Sequence, residues 1–204
     1  MSGRARAAGP VERLGIFGGT FDPPHVGHLA LAEWAREELC LDRVLFVPAG
    51  SPPHKQGARR TAAARRVAMT RAAVRGNPAF SVSTLETSRR GPSWTVDTLN
   101  QLAAANPGAE LWLLMGADMF ATLGTWRDSG GIAKLARIAV ALRPGAKAPR
   151  RAAGVKGARV KWLANPGIEV SSSAVRERAR AGRSVRYLVP DPVARLIARH
   201  RLYR

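Results

Sequence analysis

Apolar positions recur with two alternating periods along this chain, and the alternation lays out most of its elements. Residues 14–17 (Leu-Gly-Ile-Phe) form a short apolar run that stops at a glycine pair, the pattern of a buried strand entering a loop. From Val26 onward, Leu29, Leu31, Ala32, Ala35 and Leu39 follow a helical period, with Glu33, Arg36, Glu37 and Glu38 between them. Residues 44–47 (Val-Leu-Phe-Val) are a second apolar run, closed by Pro48. Strand, glycine-rich turn, helix and strand make a βαβ unit, which implies parallel strands joined by a right-handed crossover. The same reading predicts helices over 61–75, 95–105, 117–123, 132–136, 172–181 and 192–200. It predicts further strands over 80–85, 111–115, 138–142 and 160–163. The expected class is therefore α/β, a Rossmann-like, doubly wound, mostly parallel sheet with helices on both faces. Residues 1–12 are small, polar and arginine-rich and read as a disordered leader, leaving 13–204 as one domain. Residues 143–157, rich in Arg, Pro, Gly and Ala, read as a flexible loop.

Composition narrows this picture only in part. At 204 residues and 46% apolar, the chain is long enough for one substantial core. The single cysteine, Cys40, excludes an internal disulfide framework and fits a reducing compartment, where a lone thiol is usually a small core hydrophobe. No apolar run is long enough to span a membrane, and the N-terminus has no signal-peptide core, so a cytoplasmic location is expected. The net charge of +19 has three readings: a compositional bias toward Arg and Ala, steering of anionic substrates, or nucleic-acid binding. The arginines are spread along the chain and aromatic residues are only 6%, which makes a nucleic-acid partner the least favoured of the three.

Candidate chemistry begins where the first strand ends, at Gly18-Gly19-Thr20-Phe21-Asp22-Pro23-Pro24-His25-Val26-Gly27-His28. Glycines at 18 and 19 let a phosphate or base approach the backbone, and the following helix offers its N–H groups and positive dipole end to an anion. His25 and His28, three apart, project from one helix face, and Gly27 keeps that face open. Two imidazole donors there could stabilise charge developing on a nucleotide α-phosphate. The histidines could instead bind a metal or have no role. A dinucleotide fingerprint is absent, since there is no Gly-x-Gly-x-x-Gly, and so is a P-loop. Lys55, in Pro52-Pro53-His54-Lys55, could reach the same phosphates or be an exposed loop lysine. Ser171, Ser172 and Ser173 at a helix start offer an N-cap and hydroxyl donors, and Arg176, one turn in, could fork onto a β- or γ-phosphate or be solvated. Asp118, just past the 111–115 strand, could accept ribose hydroxyls or cap a helix. Trp94, Trp112 and Trp126 could stack on a planar ring; core packing is the better reading for Trp112, and Trp126 follows a loop.

The segment from Gly18 to His28 resembles the signature of the HxGH nucleotidylyltransferase superfamily. With Pro52–Lys55, Pro92-Ser93-Trp94-Thr95, Gly116-Ala117-Asp118, Thr125-Trp126, Arg143-Pro144-Gly145, Val170 to Arg176 and Leu202-Tyr203-Arg204, the chain resembles the bacterial nicotinate-nucleotide adenylyltransferases. The resemblance implies transfer of AMP from ATP to nicotinate mononucleotide, giving deamido-NAD and pyrophosphate, with no covalent enzyme intermediate. It implies that His25, His28, Lys55 and Arg176 hold the ATP phosphates. Gly18, Gly19, Thr20, Phe21, Gly116, Asp118, Ser172 and Ser173 would line the rest of the ATP, and Thr95 and Trp126 would hold the nicotinate nucleotide. Mg2+ would ride on the phosphates rather than in a carboxylate cage. The chain departs from the family pattern at Val170, usually Ile, and at Arg127, where Tyr is common. Nearest alternatives are enzymes acting on nicotinamide mononucleotide, phosphopantetheine or a cytidylyl donor, and a nucleotide-sensing regulator without turnover. The phosphopantetheine enzymes typically carry Thr where His25 stands.

Overall fold

The structure is a computed structural model and describes residues 12–50, 60–142 and 155–204. Its centre is a six-stranded sheet, parallel throughout, in the order β3-β2-β1-β4-β5-β6. The strands are β1 (Arg13–Gly19), β2 (Arg43–Pro48), β3 (Phe80–Val82), β4 (Glu110–Gly116), β5 (Arg137–Ala141) and β6 (Val160–Leu163). The helices are α1 (Val26–Glu38), α2 (Ala63–Val74), α3 (Thr95–Ala105), α4 (Ala117–Ala121), α5 (Ser129–Leu135), α6 (Ser172–Arg180) and α7 (Asp191–Arg199). Chain order puts β2 and β3 on one side of β1 and β4, β5 and β6 on the other. The connections therefore diverge at β1 and β4, and a crevice opens beyond their C-terminal ends, where open α/β sheets bind ligands.

The strands are apolar on both faces because both faces are covered. Ile16, Leu113, Met115, Ile138 and Val140 pack with Val96, Leu99 and Leu102 of α3 and with Phe120 and Ile132. Their strand neighbours Phe17, Leu114, Ala139 and Ala141 point the other way, onto Ala32 and Ala35 of α1 and Val74 of α2. Each fully buried Leu, Ile or Phe contributes roughly 1.5–3 kcal/mol by leaving water. A third cluster joins Met69 and Ala72 of α2 to Val175 and Ala179 of α6 and to Val193 and Ile197 of α7, fixing the C-terminal helices beside the crevice.

Several expectations are adjusted. β3 stops at Val82 because the Ser83 N–H, after bonding the Phe46 carbonyl, enters a turn that Ser83 Oγ and the Thr84 carbonyl close. Residues 117–125 split into α4 and a 3-10 turn at Leu123–Thr125. α5 begins earlier than its apolar pattern suggests, since Asp128, in the left-handed region at φ 48°, accepts the Gly131 N–H as N-cap. Cys40 is exposed rather than a core hydrophobe. It follows the end of α1 at φ 51°, where the chain turns off the helix axis and carries the thiol outward. Among the described residues, no helix is long and apolar enough to cross a membrane.

Candidate active site

The loop from Thr20 to Pro24 joins β1 to α1, and its shape depends on groups far away in sequence. Phe21 adopts φ 48° and buries its ring edge-on between Phe17, at 5.6 Å, and His28, at 5.1 Å. The buried Asp22 accepts the Thr61 N–H at 3.1 Å and the Tyr203 hydroxyl at 2.7 Å through its two carboxylate oxygens. Arg66, also buried, donates to the carbonyls of Thr20, Ala49 and Thr61 at 2.9, 2.7 and 3.1 Å. Its burial lowers the guanidinium pKa, an effect the nearby Asp22 opposes. The loops after β1 and β2 and the start of α2 are thus tied to one cation.

His25 is the N-cap residue of α1, and its ring stacks on His28 with centroids 3.6 Å apart and 29° between the planes. The His25 N–H donates to His28 Nδ1 at 3.1 Å, which leaves Nε2 to carry the proton of a neutral His28 ring. His25 Nδ1 is buried without a hydrogen-bond partner among the described residues. Burial pushes the His25 pKa down to about 4. Burial, then the proximity of His25, pushes that of His28 well down. Both rings are therefore neutral donors at physiological pH. Gly27 permits the stack, because a Cβ there would meet His25 Nδ1 at 3.2 Å. Fewer helix amides are available than the sequence suggests: the Val26 N–H bonds the Leu188 carbonyl, and the His28 N–H bonds the His25 carbonyl.

Against the same loop, Ser171 caps α6 by accepting the Ala174 N–H at 3.1 Å. The Ser172 hydroxyl donates to the Pro23 carbonyl at 2.9 Å. Arg176 donates to the Asp22 carbonyl at 2.9 Å and to Ser173 Oγ at 3.1 Å. Gly116 ends β4 as N-cap of α4, and Asp118 lies in the first turn of that short helix. Trp126 fixes its indole by donating from Nε1 to Thr122 Oγ1 at 3.2 Å. Trp112 is buried in β4 and donates to Glu110, as core packing requires.

One cavity of about 980 Å³ receives nearly all of these groups. Gly18, Gly19, Thr20, Phe21, His25, His28, Thr95, Gly116, Asp118, Trp126, Ser172, Ser173 and Arg176 all line it. Lys55 and Arg143 to Gly145 lie outside the described residues. A Cβ at Gly18 would meet nothing within 4 Å, so the wall there is open to a ligand, whereas one at Gly19 would strike the Phe21 ring at 2.9 Å. The sequence reading missed Asp22, Arg66 and Tyr203. Asp22 is inside the signature but carries no separate pattern, and Arg66 looks like one more arginine of a solvated helix face. It also missed Glu86, a cavity-lining carboxylate whose pKa is raised by burial. Glu86 accepts the Thr98 hydroxyl at 2.9 Å.

A parallel sheet whose connections diverge beside a stacked His-x-Gly-His pair defines the nucleotidyltransferase class of α/β nucleotide-binding folds. The cytidylyltransferase-like family model matches residues 16–178. A protein of Thermomicrobium roseum named "Probable nicotinate-nucleotide adenylyltransferase" is 48% identical, over 95% of this chain and 92% of its own length. One of the same name from Exiguobacterium sibiricum is 47% identical, over 94% of this chain and 98% of its own. Among solved structures, the nicotinic acid mononucleotide adenylyltransferase of Plasmodium falciparum complexed with NaAD shares the fold. Its TM-score is 0.79 and its identity 16%, covering 94% of this chain and 97% of that one. The chain belongs to the nicotinate-nucleotide adenylyltransferase family, within the cytidylyltransferase-like proteins.

Proposed function

We propose that this protein transfers AMP from ATP to nicotinate mononucleotide, forming deamido-NAD and releasing pyrophosphate. The observation that carries the reading is the stacked, neutral His25–His28 pair at the C-terminal end of β1, beside a cavity large enough for both nucleotides. An oxygen of the acceptor 5′-phosphate attacks the α-phosphorus, and the bond from that phosphorus to the bridging oxygen breaks, so that the oxygen leaves with pyrophosphate. Charge gathers on the phosphoryl oxygens, where neutral imidazole N–H groups held by packing stabilise it with little reorganisation. His25, His28, Lys55 and Arg176 hold the ATP phosphates in this scheme. Gly18, Gly19, Thr20 and Phe21 present backbone to the nucleotide. Gly116 and Asp118 take the ribose side, and Ser172 and Ser173 brace the signature loop and Arg176. Trp126 and Thr95 receive the nicotinate ring. Magnesium enters as part of the MgATP substrate. The reaction is assigned to the cytoplasm, in keeping with the lone thiol of Cys40.

The test is pyrophosphate release from ATP with nicotinate mononucleotide and nicotinamide mononucleotide in parallel. The expected result is turnover with a preference for the acid. Absence of pyrophosphate with both acceptors overturns the reading, and a preference for the amide overturns the substrate assignment.

A further inference from the structure

Asp22 joins Arg176 to a residue that lies beyond α7. Its carbonyl accepts Arg176 Nη1 at 2.9 Å. Its buried carboxylate accepts the Tyr203 hydroxyl on Oδ1 at 2.7 Å and the Thr61 N–H on Oδ2 at 3.1 Å. Arg176 also donates from Nη2 to Ser173 Oγ at 3.1 Å, so two bonds fix the plane of its guanidinium at the cavity wall. Arg66, the buried cation near Asp22, bonds the carbonyls of Thr20, Ala49 and Thr61 rather than the carboxylate. The backbone brings Tyr203 to this place under constraint: Arg201 and Tyr203 adopt φ 46° and 70°, left-handed conformations that non-glycine residues keep only where contacts hold them. The Tyr203 ring packs against the α2, α6 and α7 cluster, with Met69 Sδ 3.9 Å from the hydroxyl. Burial and the bond to Asp22 raise its pKa, so the phenol remains a neutral donor.

A carboxylate with both oxygens engaged leaves the neighbouring guanidinium its charge. Freed of the phenol, the same carboxylate would draw Arg176 from the Asp22 carbonyl into an ion pair and away from an anionic ligand. We propose that Tyr203 is a positioning residue for Arg176: by occupying the Asp22 carboxylate, it keeps the guanidinium available to a polyphosphate in the cavity. This inference rests on the adenylyltransferase reading, in which Arg176 holds the ATP phosphates, and deepens it by tying that site to a side chain outside the cavity. The ligands affected are those that carry the polyphosphate, ATP and pyrophosphate, and not the acceptor nucleotide.

Steady-state kinetics in both directions test it, in the wild type, Tyr203→Phe, Tyr203→Phe with Asp22→Asn, and Arg176→Gln with and without Tyr203→Phe. Tyr203→Phe is expected to raise KM for ATP and for pyrophosphate about tenfold and to leave KM for nicotinate mononucleotide within about twofold. Asp22→Asn removes the competing charge and should return both raised constants to within about threefold of the wild type. In Arg176→Gln, adding Tyr203→Phe should change KM for ATP by less than about twofold, since the group it positions is gone. Phenylalanine keeps the ring in the helical cluster, and circular dichroism at the assay temperature checks that each variant is folded. Unchanged KM for ATP and pyrophosphate in Tyr203→Phe overturns the proposal, and an equal rise in KM for the acceptor does so by marking a general structural role. So does a lack of recovery with Asp22→Asn, or effects that multiply in full when Tyr203→Phe is combined with Arg176→Gln. Failure of the wild type to release pyrophosphate with either acceptor is a different result: it removes the adenylyltransferase reading, and this proposal with it.

Discussion

His28 is held from three sides, by the Phe17 and Phe21 rings and by the stacked His25, while its Nδ1 accepts a backbone N–H. Such a ring cannot swing away or change tautomer freely, so its remaining N–H is fixed in direction, as the proposed transfer requires of a donor. His28→Ala removes that donor and is expected to lower kcat by about 10²-fold or more, the scale for losing one oriented transition-state donor. Steady-state kinetics with saturating ATP checks it, and a kcat near that of the wild type would mean that the ring serves only packing. The spacing of the two histidines was legible in the sequence. Their stacking and neutrality were not, because both depend on burial, to which the Phe17 and Phe21 rings against His28 contribute.

At the scale of elements, the C-terminus acts as a strut for the loop between β1 and α1. Tyr203 lies beyond α7, yet its hydroxyl bonds Asp22, and burial together with that bond raises the phenol pKa. Tyr203→Phe removes one donor from a buried carboxylate, which is expected to cost about 2 kcal/mol. The unfolding free energy from denaturant curves should fall by that amount, seen as a lower midpoint at constant slope. A shift below about 0.3 kcal/mol would show that water replaces the phenol without loss. The sequence shows the α7 pattern and the Leu-Tyr-Arg ending, but no local pattern reveals that residue 203 meets residue 22. The helices themselves were legible because period and caps are local properties. β3 was overextended in the sequence reading because its end depends on a turn that follows the bond to Phe46.

For the whole molecule, the buried neutral histidines set the response to acid. The His25 pKa falls from 6.5 to about 4 on folding, so the unfolded chain binds the proton more readily. Its contribution is complete above pH 6.5 and is lost as pH falls through about 4, and His28 acts in the same direction. The raised pKa of Glu86 acts oppositely: its stabilising contribution is present at low pH and lost as pH rises. His25 alone is expected to lower the unfolding free energy by about 3 kcal/mol between pH 7 and pH 4, and His28 adds to that fall. Denaturant unfolding across that range tests it. A His25→Asn chain should give a flatter profile, and identical profiles would contradict the assignment.

The sequence by itself determined the α/β alternation, the Gly18–His28 signature, the serine-rich start of α6 and the family that these motifs mark. Those features are written in consecutive residues, since periodicity, caps and a glycine-rich turn act over a few positions. Only the tertiary structure decided that the strands diverge at β1 and β4, that Arg66 ties three loops together, and that Tyr203 reaches Asp22. It also decided that Arg127 lies over Trp94. Each of these joins groups distant along the chain, and which distant groups meet depends on how the whole sheet and its two helical layers pack. A buried arginine and a solvated one look alike in sequence, and burial is what separates their roles.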